Sequence, residues 1–182
     1  MVIRTARDED FATIAEITNH YITTTTIHFG YEPVTADELR EQAWDTRFPW
    51  LVVEEGDVVL GYAKAGTWRA RAAYQWTAEL GLYIAPDARR KGHGRALYAE
   101  LIAECKRRGF RSLVAGITLP NDPSIALHET LGFEAVGTFR DAGYKNGTWC
   151  DVGWWQLRLF TDEHGPRDAE ELTALGAPLP PS

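Results

Sequence analysis

The chain has 182 residues, of which 45% are hydrophobic, and a formal net charge of −7 at pH 7. This length and composition predict one soluble globular domain that can fold around its own core. The acidic balance argues against a nucleic-acid binder, and no apolar run is long enough to span a membrane. The two cysteines have neither metal-ligand spacing nor a disulfide pattern. We therefore expect reduced thiols in a cytoplasmic protein that holds no metal.

The first part of the chain predicts a strand, two helices and a hairpin. In order, these are a strand at 2–6, a helix that starts after Asp8, a helix at 35–47 and strands at 50–54 and 58–65. Thr35 opens the second helix with a capping box, because Glu38 stands three residues later. The turn residues at 55–57 separate the two strands and predict a tight hairpin.

The remainder of the chain predicts four strands and two helices. These are a strand at 76–84, a helix at 94–108, a strand at 112–118, a helix at 123–131 and strands at 135–138 and 151–159. The resulting order β-α-α-β-β-β-α-β-α-β-β predicts an α+β fold with one mixed sheet and helices on its faces. A charged and then proline-rich segment at 161–182 predicts a loosely attached tail after a domain at 1–160.

A basic stretch with two glycines, RRKGHGRALY at 89–98, lies between a predicted strand and a predicted helix. Gly92 and Gly94 allow successive backbone amides to turn inward, and the helix adds the positive end of its dipole. Neither the G-x-x-x-x-G-K-[ST] motif nor the G-x-G-x-x-G motif is present. The stretch predicts a phosphate-binding site, or alternatively a solvated basic turn.

The spacing Arg89-x-x-Gly92-x-Gly94 resembles the motif with which GNAT acetyltransferases hold the pyrophosphate of acetyl-coenzyme A. Longer stretches resemble the phosphinothricin N-acetyltransferases, which acetylate amino acids of the glufosinate type. These are NHY at 19–21, WTAE at 76–79, LPNDPS at 119–124, ALHETLGF at 126–133 and WCDVGWWQ at 149–156. The resemblance covers about residues 2–160. It implies a homodimeric, acetyl-CoA-dependent N-acetyltransferase with a small amino-acid acceptor.

Two residues are candidates for the chemistry. An amine must lose its proton before it attacks a thioester, and a carboxylate whose pKa is raised by burial can accept that proton. The resemblance implies this role for Glu79, although the strand pattern also allows an outward-facing Glu79. It also implies a functional role for His128, which is otherwise a structural histidine. Tyr83 and Tyr98 are both candidates to protonate the departing thiolate.

The resemblance also implies which residues contact the coenzyme. The pantetheine would lie along Leu82, Tyr83 and Ile84, and Asn121 would contact the coenzyme from the loop after the fifth strand. The pyrophosphate would be held by Arg89, Arg90, Lys91, Gly92, His93, Gly94 and Arg95. A bulge near Gly81 would turn backbone N–H groups toward the thioester carbonyl, where an oxyanion forms.

A loop that interleaves arginines with aromatic residues, GTWRARAAYQW at 66–76, is the candidate acceptor site. The resemblance implies that Arg69, Arg71 and Tyr74 bind the acceptor, with Phe29 and Val152 as apolar walls. A guanidinium can donate to two oxygens of a phosphinate or carboxylate. Without the resemblance, an exposed amphipathic loop is the favoured interpretation.

Several alternatives to phosphinothricin remain open. Gly116 and Thr118 differ from the residues usual in this subfamily, so we expect a reshaped pocket floor. Methionine sulfoximine, methionine sulfone and arsinothricin are near-isosteric acceptors that such a pocket separates poorly. Another small amine, a protein N-terminus and a non-catalytic acyl-CoA-binding module are the further hypotheses.

Overall fold

Within residues 1–161, 163, 165 and 166, which this computed structural model describes, the chain forms one seven-stranded sheet and four helices. The strands are β1 Val2–Thr5, β2 Trp50–Glu55, β3 Val58–Thr67, β4 Thr77–Ile84, β5 Ser112–Thr118, β6 Glu134–Lys145 and β7 Thr148–Arg158. The helices are α1 Phe11–Thr24, α2 Ala36–Gln42, α3 His93–Arg107 and α4 Asp122–Thr130. Short 3₁₀ turns lie at Asp8–Asp10, Ala72–Tyr74 and Pro86–Ala88.

The predicted order of elements and the α+β class are confirmed. The strands lie in the spatial order β1-β2-β3-β4-β5-β7-β6, and the β4–β5 pair is parallel in an otherwise antiparallel sheet. Thr35 caps α2 as predicted, since its hydroxyl accepts from the Glu38 N–H and the Glu38 carboxylate accepts in return.

Several predicted boundaries differ from the structure, and the errors at the ends of α2 and β6 are the largest. Helix α2 ends at Gln42 rather than at residue 47, because Arg47 leaves the helix and lies 5.1 Å from the ring centroid of Phe110. Strand β6 continues to Lys145 rather than ending at residue 138. A register shift between Phe139 and Gly143 makes this possible. There, the Asp141 N–H donates to the Asp151 carboxylate instead of to the strand ladder.

Each face of the sheet carries its own apolar core. On one face, α3 buries Leu97 and Leu101 against Leu80 of β4 and Ile117 of β5. On the other face, α1 and α2 pack against side chains from β2 and β3, and this core contains Phe11, Ile14, Leu39, Trp50 and Tyr62. Because strand side chains alternate, neighbouring residues of β3 and β4 serve different faces.

Strands β4 and β5 separate after a short paired region. Their register joins Thr77–Glu79 to 112–114, and from Leu80 onward β4 has no β5 partner in the part of the chain described. Beyond that point β5 pairs only with β7. The two strands therefore enclose an open, wedge-shaped gap.

Backbone groups of β4 face this gap. The Trp76 carbonyl accepts from Ser112 beside β5, whereas the Ala85 N–H donates to Leu60 beside β3. Strand alternation between these points leaves the N–H groups of Leu80 and Leu82 directed toward the gap. The predicted bulge near Gly81 was wrong, because the β3–β4 register is continuous. The splayed strands, and not a bulge, leave these amides unpaired.

A network of ion pairs lies at the edge of the sheet that β1 forms. The Arg4 guanidinium donates to both oxygens of Asp10, at 2.6 and 2.9 Å, and to Glu54 at 2.8 Å. The Asp10 carboxylate also accepts from the Arg7 N–H at 2.6 Å. Arg4 holds the pKa of Asp10 below its usual range. The network thus joins β1, the start of α1 and β2.

Among the described residues, no helix is long and apolar enough to cross a membrane. The same residues contain no group of three or more His, Cys, Asp or Glu side chains placed to hold a metal ion. The predicted tail lies almost entirely outside the described residues, so the division into a domain and a tail stays a prediction.

Candidate active site

A cavity of about 460 Å³ opens where β4 and β5 separate. One half follows the gap between the strands and is lined by Leu80, Leu82, Ala115, Ile117, Asn121 and His128. The other half lies on the α1–α2 face and is lined by Ile27, Gln42, Trp50, Lys64, Glu79 and Tyr83. The cavity thus joins a slot that is lined mainly by apolar residues to a second part, here called the chamber, which contains the acid Glu79 and the base Lys64.

Glu79 stands at the point where the two halves meet. It is the last β4 residue that pairs with β5, opposite Val114. The residues on either side of it, Ala78 and Leu80, belong to the α3 core. Because side chains alternate along a strand, the Glu79 side chain lies on the opposite face, with Tyr83. Burial raises the pKa of the Glu79 carboxyl, and the charge of Lys64 opposes that rise. Such a carboxylate is a stronger base than an exposed one.

Lys64 faces the same chamber and was missed by the sequence analysis. Its Nζ donates to Oε1 of Gln42 at 2.9 Å and lies 4.6 Å from the ring centroid of Trp50. Burial lowers the pKa of Lys64 to about 8, against the raising effect of Glu79. A lysine between Ala63 and Ala65 in an apolar strand was the available signal, because long cations rarely occupy such positions.

His128 and Tyr98 form a buried hydrogen-bonded pair at the wall of the gap. Nδ1 of His128 lies 2.7 Å from the Ser124 carbonyl oxygen, which can only accept, so Nδ1 carries the proton. Nε2 then accepts from the Tyr98 hydroxyl at 3.0 Å. Burial lowers the pKa of His128. The ring is therefore neutral, and its two nitrogens are both occupied.

The two tyrosines considered for thiolate protonation differ in their partners. The Tyr98 hydroxyl proton is held by His128, and burial raises the pKa of this phenol well above its ordinary value. The Tyr83 ring stacks on Tyr62 at 5.2 Å between centroids, and its hydroxyl has no hydrogen bond to any described residue. Both line the cavity, and both stay candidates.

The basic stretch surrounds the beginning of α3. Gly92 is the N-cap and adopts a left-handed conformation with φ of 85°. The first α-helical hydrogen bond runs from the Ala96 N–H to the Gly92 carbonyl, so the amides of residues 93–95 lie ahead of the helical ladder. Gly94 lies against the end of β4, where an added Cβ would be 3.5 Å from Leu82 and Ile84. The amides therefore adjoin the open end of the gap.

The side chains of this stretch differ in exposure. Those of Arg90, Lys91 and Arg95 are exposed, and the Arg89 guanidinium lies 5.0 Å from the ring centroid of Tyr21. His93 is buried, and its Nδ1 has no hydrogen-bond partner among the described residues. Asn121 caps α4 by accepting from the Ser124 N–H, and it also lines the cavity.

The predicted acceptor residues lie apart from the cavity that contains Glu79. Arg69 stacks on Trp68 at 4.9 Å and on Tyr74 at 5.9 Å, while the exposed Arg71 precedes the turn at Ala72–Tyr74. Arg69 lines a second cavity of about 400 Å³, formed by this loop, β5, β6 and β7. These placements leave the acceptor roles as predictions.

The two predicted apolar walls also lie outside both cavities. Phe29 packs closely against Gly143 of β6, where an added Cβ would collide with its ring. Val152 of β7 pairs with Thr118 of β5. The structure therefore brings the coenzyme-side residues together, whereas the five acceptor-side residues do not line the cavity that contains Glu79.

A sheet that splays beside a helix N-terminus, with a half-buried carboxylate at the junction, is suited to acyl transfer from a long phosphate-bearing donor. Residues 3–154 match the family model described as an acetyltransferase (GNAT) domain. The chain therefore belongs to the GNAT acetyltransferase family, as its motifs predicted.

The relatives of this chain include acetyltransferases that are named for amino-acid substrates. The chain is 46% identical to a phosphinothricin N-acetyltransferase of Streptomyces viridochromogenes over 95% of both chains. It is 40% identical to an L-methionine sulfoximine/L-methionine sulfone acetyltransferase of Salmonella typhimurium, over 93% of this chain and 99% of the relative. The solved phosphinothricin acetyltransferase of Sinorhizobium meliloti in complex with acetyl-CoA has a TM-score of 0.86 and 34% identity, covering 91% of this chain and 92% of that one.

Proposed function

We propose that the protein transfers an acetyl group from acetyl-coenzyme A to the α-amino group of phosphinothricin-like amino acids. Glu79 would act as the general base. The observation that carries this proposal is the position of Glu79, a carboxylate of raised pKa where the acceptor chamber meets the β4–β5 gap.

The residues around the gap fit acetyl-coenzyme A as co-substrate. The unpaired amides of Leu80 and Leu82 suit the carbonyl and amide groups of a pantetheine arm. The amides of residues 93–95, together with the helix dipole, suit its pyrophosphate. The exposed cations Arg90, Lys91 and Arg95 surround this helix end and add attraction for phosphate.

The proposed reaction removes two protons from the acceptor nitrogen and supplies one to the thiolate. The Glu79 carboxylate takes the proton of the acceptor ammonium, directly or through a water. The free amine then adds to the thioester carbonyl, and a β4 amide donates to the oxygen that gains negative charge. The carbon–sulfur bond breaks, and the thiolate takes a proton from Tyr83, Tyr98 or solvent. The nitrogen gives up its second proton, to the deprotonated tyrosine or to solvent, as the amide forms. The products are the N-acetyl amino acid and free coenzyme A.

The acceptor is proposed from relatives and from local charge. Both sequence relatives are named for amino acids with a tetrahedral polar head, phosphinothricin in one case and methionine sulfone or sulfoximine in the other. Arg69 and Arg71 remain the proposed ligands of that head. A phosphinate carries a charge that a sulfone lacks, so these arginines favour phosphinothricin. Methionine sulfoximine, methionine sulfone and arsinothricin are the alternative acceptors.

A homodimer is part of the same proposal. Val136, Phe139 and Trp149 on β6 and β7 are 66%, 60% and 63% exposed, which is unusual for large apolar side chains on neighbouring strands. Trp155, in contrast, belongs to the α3 core and contributes to the fold. A second copy seated on β6 and β7 would cover the exposed group. A cytoplasmic location stays a prediction.

The test is acetyl-CoA turnover, measured as free thiol released, with phosphinothricin, methionine sulfoximine, methionine sulfone and glutamate. We expect phosphinothricin to give the highest kcat/KM, and Glu79→Gln to abolish most of it. Glu16→Gln is the matched control, because Glu16 is exposed on α1. Equal turnover in Glu79→Gln and wild type would refute the general base. Turnover of none of the four would refute the acceptor assignment.

A further inference from the structure

Lys64 forms no ion pair with an anionic side chain among the described residues. Of its three N–H donors, one is used by Gln42, and no other described residue accepts a hydrogen bond from Nζ. The stem lies on Trp50, and the head lines the chamber. A partly buried ammonium needs acceptors for its remaining donors, and in this open chamber water or a ligand can supply them.

The position of Lys64 relative to Glu79 indicates what that ligand must carry. In the β3–β4 ladder, Lys64 pairs with Gly81 and Glu79 pairs with Gly66, so the two side chains are diagonal neighbours. They share the α1–α2 face, and each influences the other's charge, yet no ion pair between them forms in the described part of the chain. Both line the chamber. A ligand that carries a cationic group and an anionic group on the same carbon atom would bridge the two.

The other buried lysine nearby does not compete for such a group. Lys145 is 3% exposed, and its ammonium donates to the backbone carbonyls of Ile22, at 2.6 Å, and of His28. Those bonds hold the segment after α1 against β6. Among the lysines near the chamber in the described chain, Lys64 is therefore the one with donors available to a ligand.

We propose that Lys64 binds the α-carboxylate of the acceptor, so that Glu79 and Lys64 together recognise the zwitterionic end of an α-amino acid. The amino nitrogen and the carboxylate are bonded to the same carbon. An ammonium directed at Glu79 therefore carries its carboxylate toward the nearest cation on that face, which is Lys64. The proposal deepens the proposed function and rests on it. It assigns Lys64 to the end common to all the candidate acceptors, and leaves the variable head to other residues.

The test compares two acceptors that differ only in the α-carboxylate. L-phosphinothricin and (3-aminopropyl)methylphosphinic acid share the amine and the phosphinate, and the second lacks the carboxylate. We expect Lys64→Met to lower kcat/KM for phosphinothricin about 10- to 100-fold, as for a lost charge-assisted hydrogen bond, and to change the amine by less than about 3-fold. Lys64→Arg keeps a cation and should restore part of the loss. Lys106→Met, at an exposed lysine of α3, is the matched control.

Each other outcome would overturn the proposal. An equal loss with both acceptors would mean that Lys64 acts on Glu79 or on the fold. No loss with either would mean that Lys64 does not contact the acceptor. A loss with both phosphinates but not with methionine sulfone would assign Lys64 to the head group.

The acceptor assignment can fail separately. If wild type acetylates methionine sulfone but not phosphinothricin, the same comparison is made with the sulfone and 3-(methylsulfonyl)propylamine, and the same loss confined to the amino acid supports Lys64. Turnover of simple amines but of no α-amino acid would overturn both proposals.

Discussion

Two groups of opposite charges on the same sheet contrast in how completely they are paired. At the β1 edge, Arg4 satisfies Asp10 and Glu54 with short hydrogen bonds, and Asp10 is 5% exposed. At the centre, Glu79 and Lys64 share a chamber without forming an ion pair in the described chain. The first group is complete within the protein. The second group leaves hydrogen-bond donors and acceptors available to a ligand.

The pKa values of the two carboxyl groups are shifted in opposite directions, although burial alone raises both. The pKa of Asp10 is lowered, because the hydrogen bonds from Arg4 outweigh desolvation. The pKa of Glu79 is raised, because desolvation outweighs the more distant charge of Lys64. A paired carboxylate stabilises the fold but is a poor base, whereas an unpaired one is costly to bury and available for chemistry.

The largest expected effect is on catalysis, at the unpaired charges of Glu79 and Lys64. Glu79→Gln should lower kcat about 10²- to 10⁴-fold near neutral pH, because the amide cannot accept the ammonium proton. The free energy of unfolding should stay the same or rise, since a desolvated carboxylate is replaced by a neutral group. Steady-state turnover and chemical denaturation measure the two. A variant that is inactive because it is clearly less stable would break the contrast.

The paired charges of Arg4 and Asp10 should show the reverse: a loss of stability without a loss of activity. Asp10→Asn removes the anion that Arg4 faces, and should lower the free energy of unfolding by about 3 kcal/mol while kcat/KM is unchanged. The carboxyl pKa is depressed in the fold, so this stability is present above the ordinary pKa of an Asp and is lost as the pH falls through the folded value. The difference from wild type should therefore vanish in strong acid.

Asp8→Asn is the control for that measurement. Asp8 also pairs with an arginine, Arg40, but the Asp8 side chain is 78% exposed. An exposed pair contributes little to the free energy of unfolding, because solvent screens it. A loss as large as that of Asp10→Asn would show that burial does not distinguish the two pairs.

The sequence predicted most of the fold but little of this contrast. Helical periodicity, the Thr35 capping box and the turn at 55–57 predicted every helix and strand in order, because those signals are local. The extension of β6 was not predicted, since its residues 140–143 lack strand alternation and depend on Asp151. Local patterns carry no information about a bond between residues on different strands.

The site was predicted unevenly for the same reason. The basic stretch proposed to bind phosphate lies within ten consecutive residues, so its glycines and cations could be recognised together. Whether Glu79 faces the chamber could not be decided from its own strand. Lys64 was overlooked, because its nearness to Glu79 follows from the β3–β4 register. The gap itself depends on where β4 and β5 stop pairing, which neither strand specifies alone.

A smaller effect should appear in the pH profile. Removing the Lys64 charge takes away the influence that lowers the pKa of Glu79, so the acid limb of kcat/KM should move to higher pH in Lys64→Met. Electrostatic coupling across a partly solvated chamber suggests a shift of up to about one pH unit. (3-Aminopropyl)methylphosphinic acid is the suitable acceptor, because it removes the proposed carboxylate contact. An unchanged limb would show that the two charges do not interact.

The smallest expected effect tests whether the backbone amides at the start of α3 are also available to a ligand, as we propose for the side chains of Glu79 and Lys64. Gly92 has φ of 85°, and an added Cβ would meet no atom within 4 Å, so Gly92→Ala imposes backbone strain without a collision. That strain costs about 1 kcal/mol. If the turn relaxes, the amides at the start of α3 move, and KM for acetyl-CoA should rise about 5-fold with kcat unchanged.

Gly147→Ala separates strain from binding in that experiment. Gly147 has φ of 78° and equally open surroundings, but it lies in the turn between β6 and β7. Both variants should lose similar stability, and only Gly92→Ala should change KM for acetyl-CoA. A rise in both would mean that general loosening of the fold, rather than the direction of these amides, governs coenzyme binding. A rise confined to Gly92→Ala would extend the contrast from charged side chains to the partial charges of the main chain.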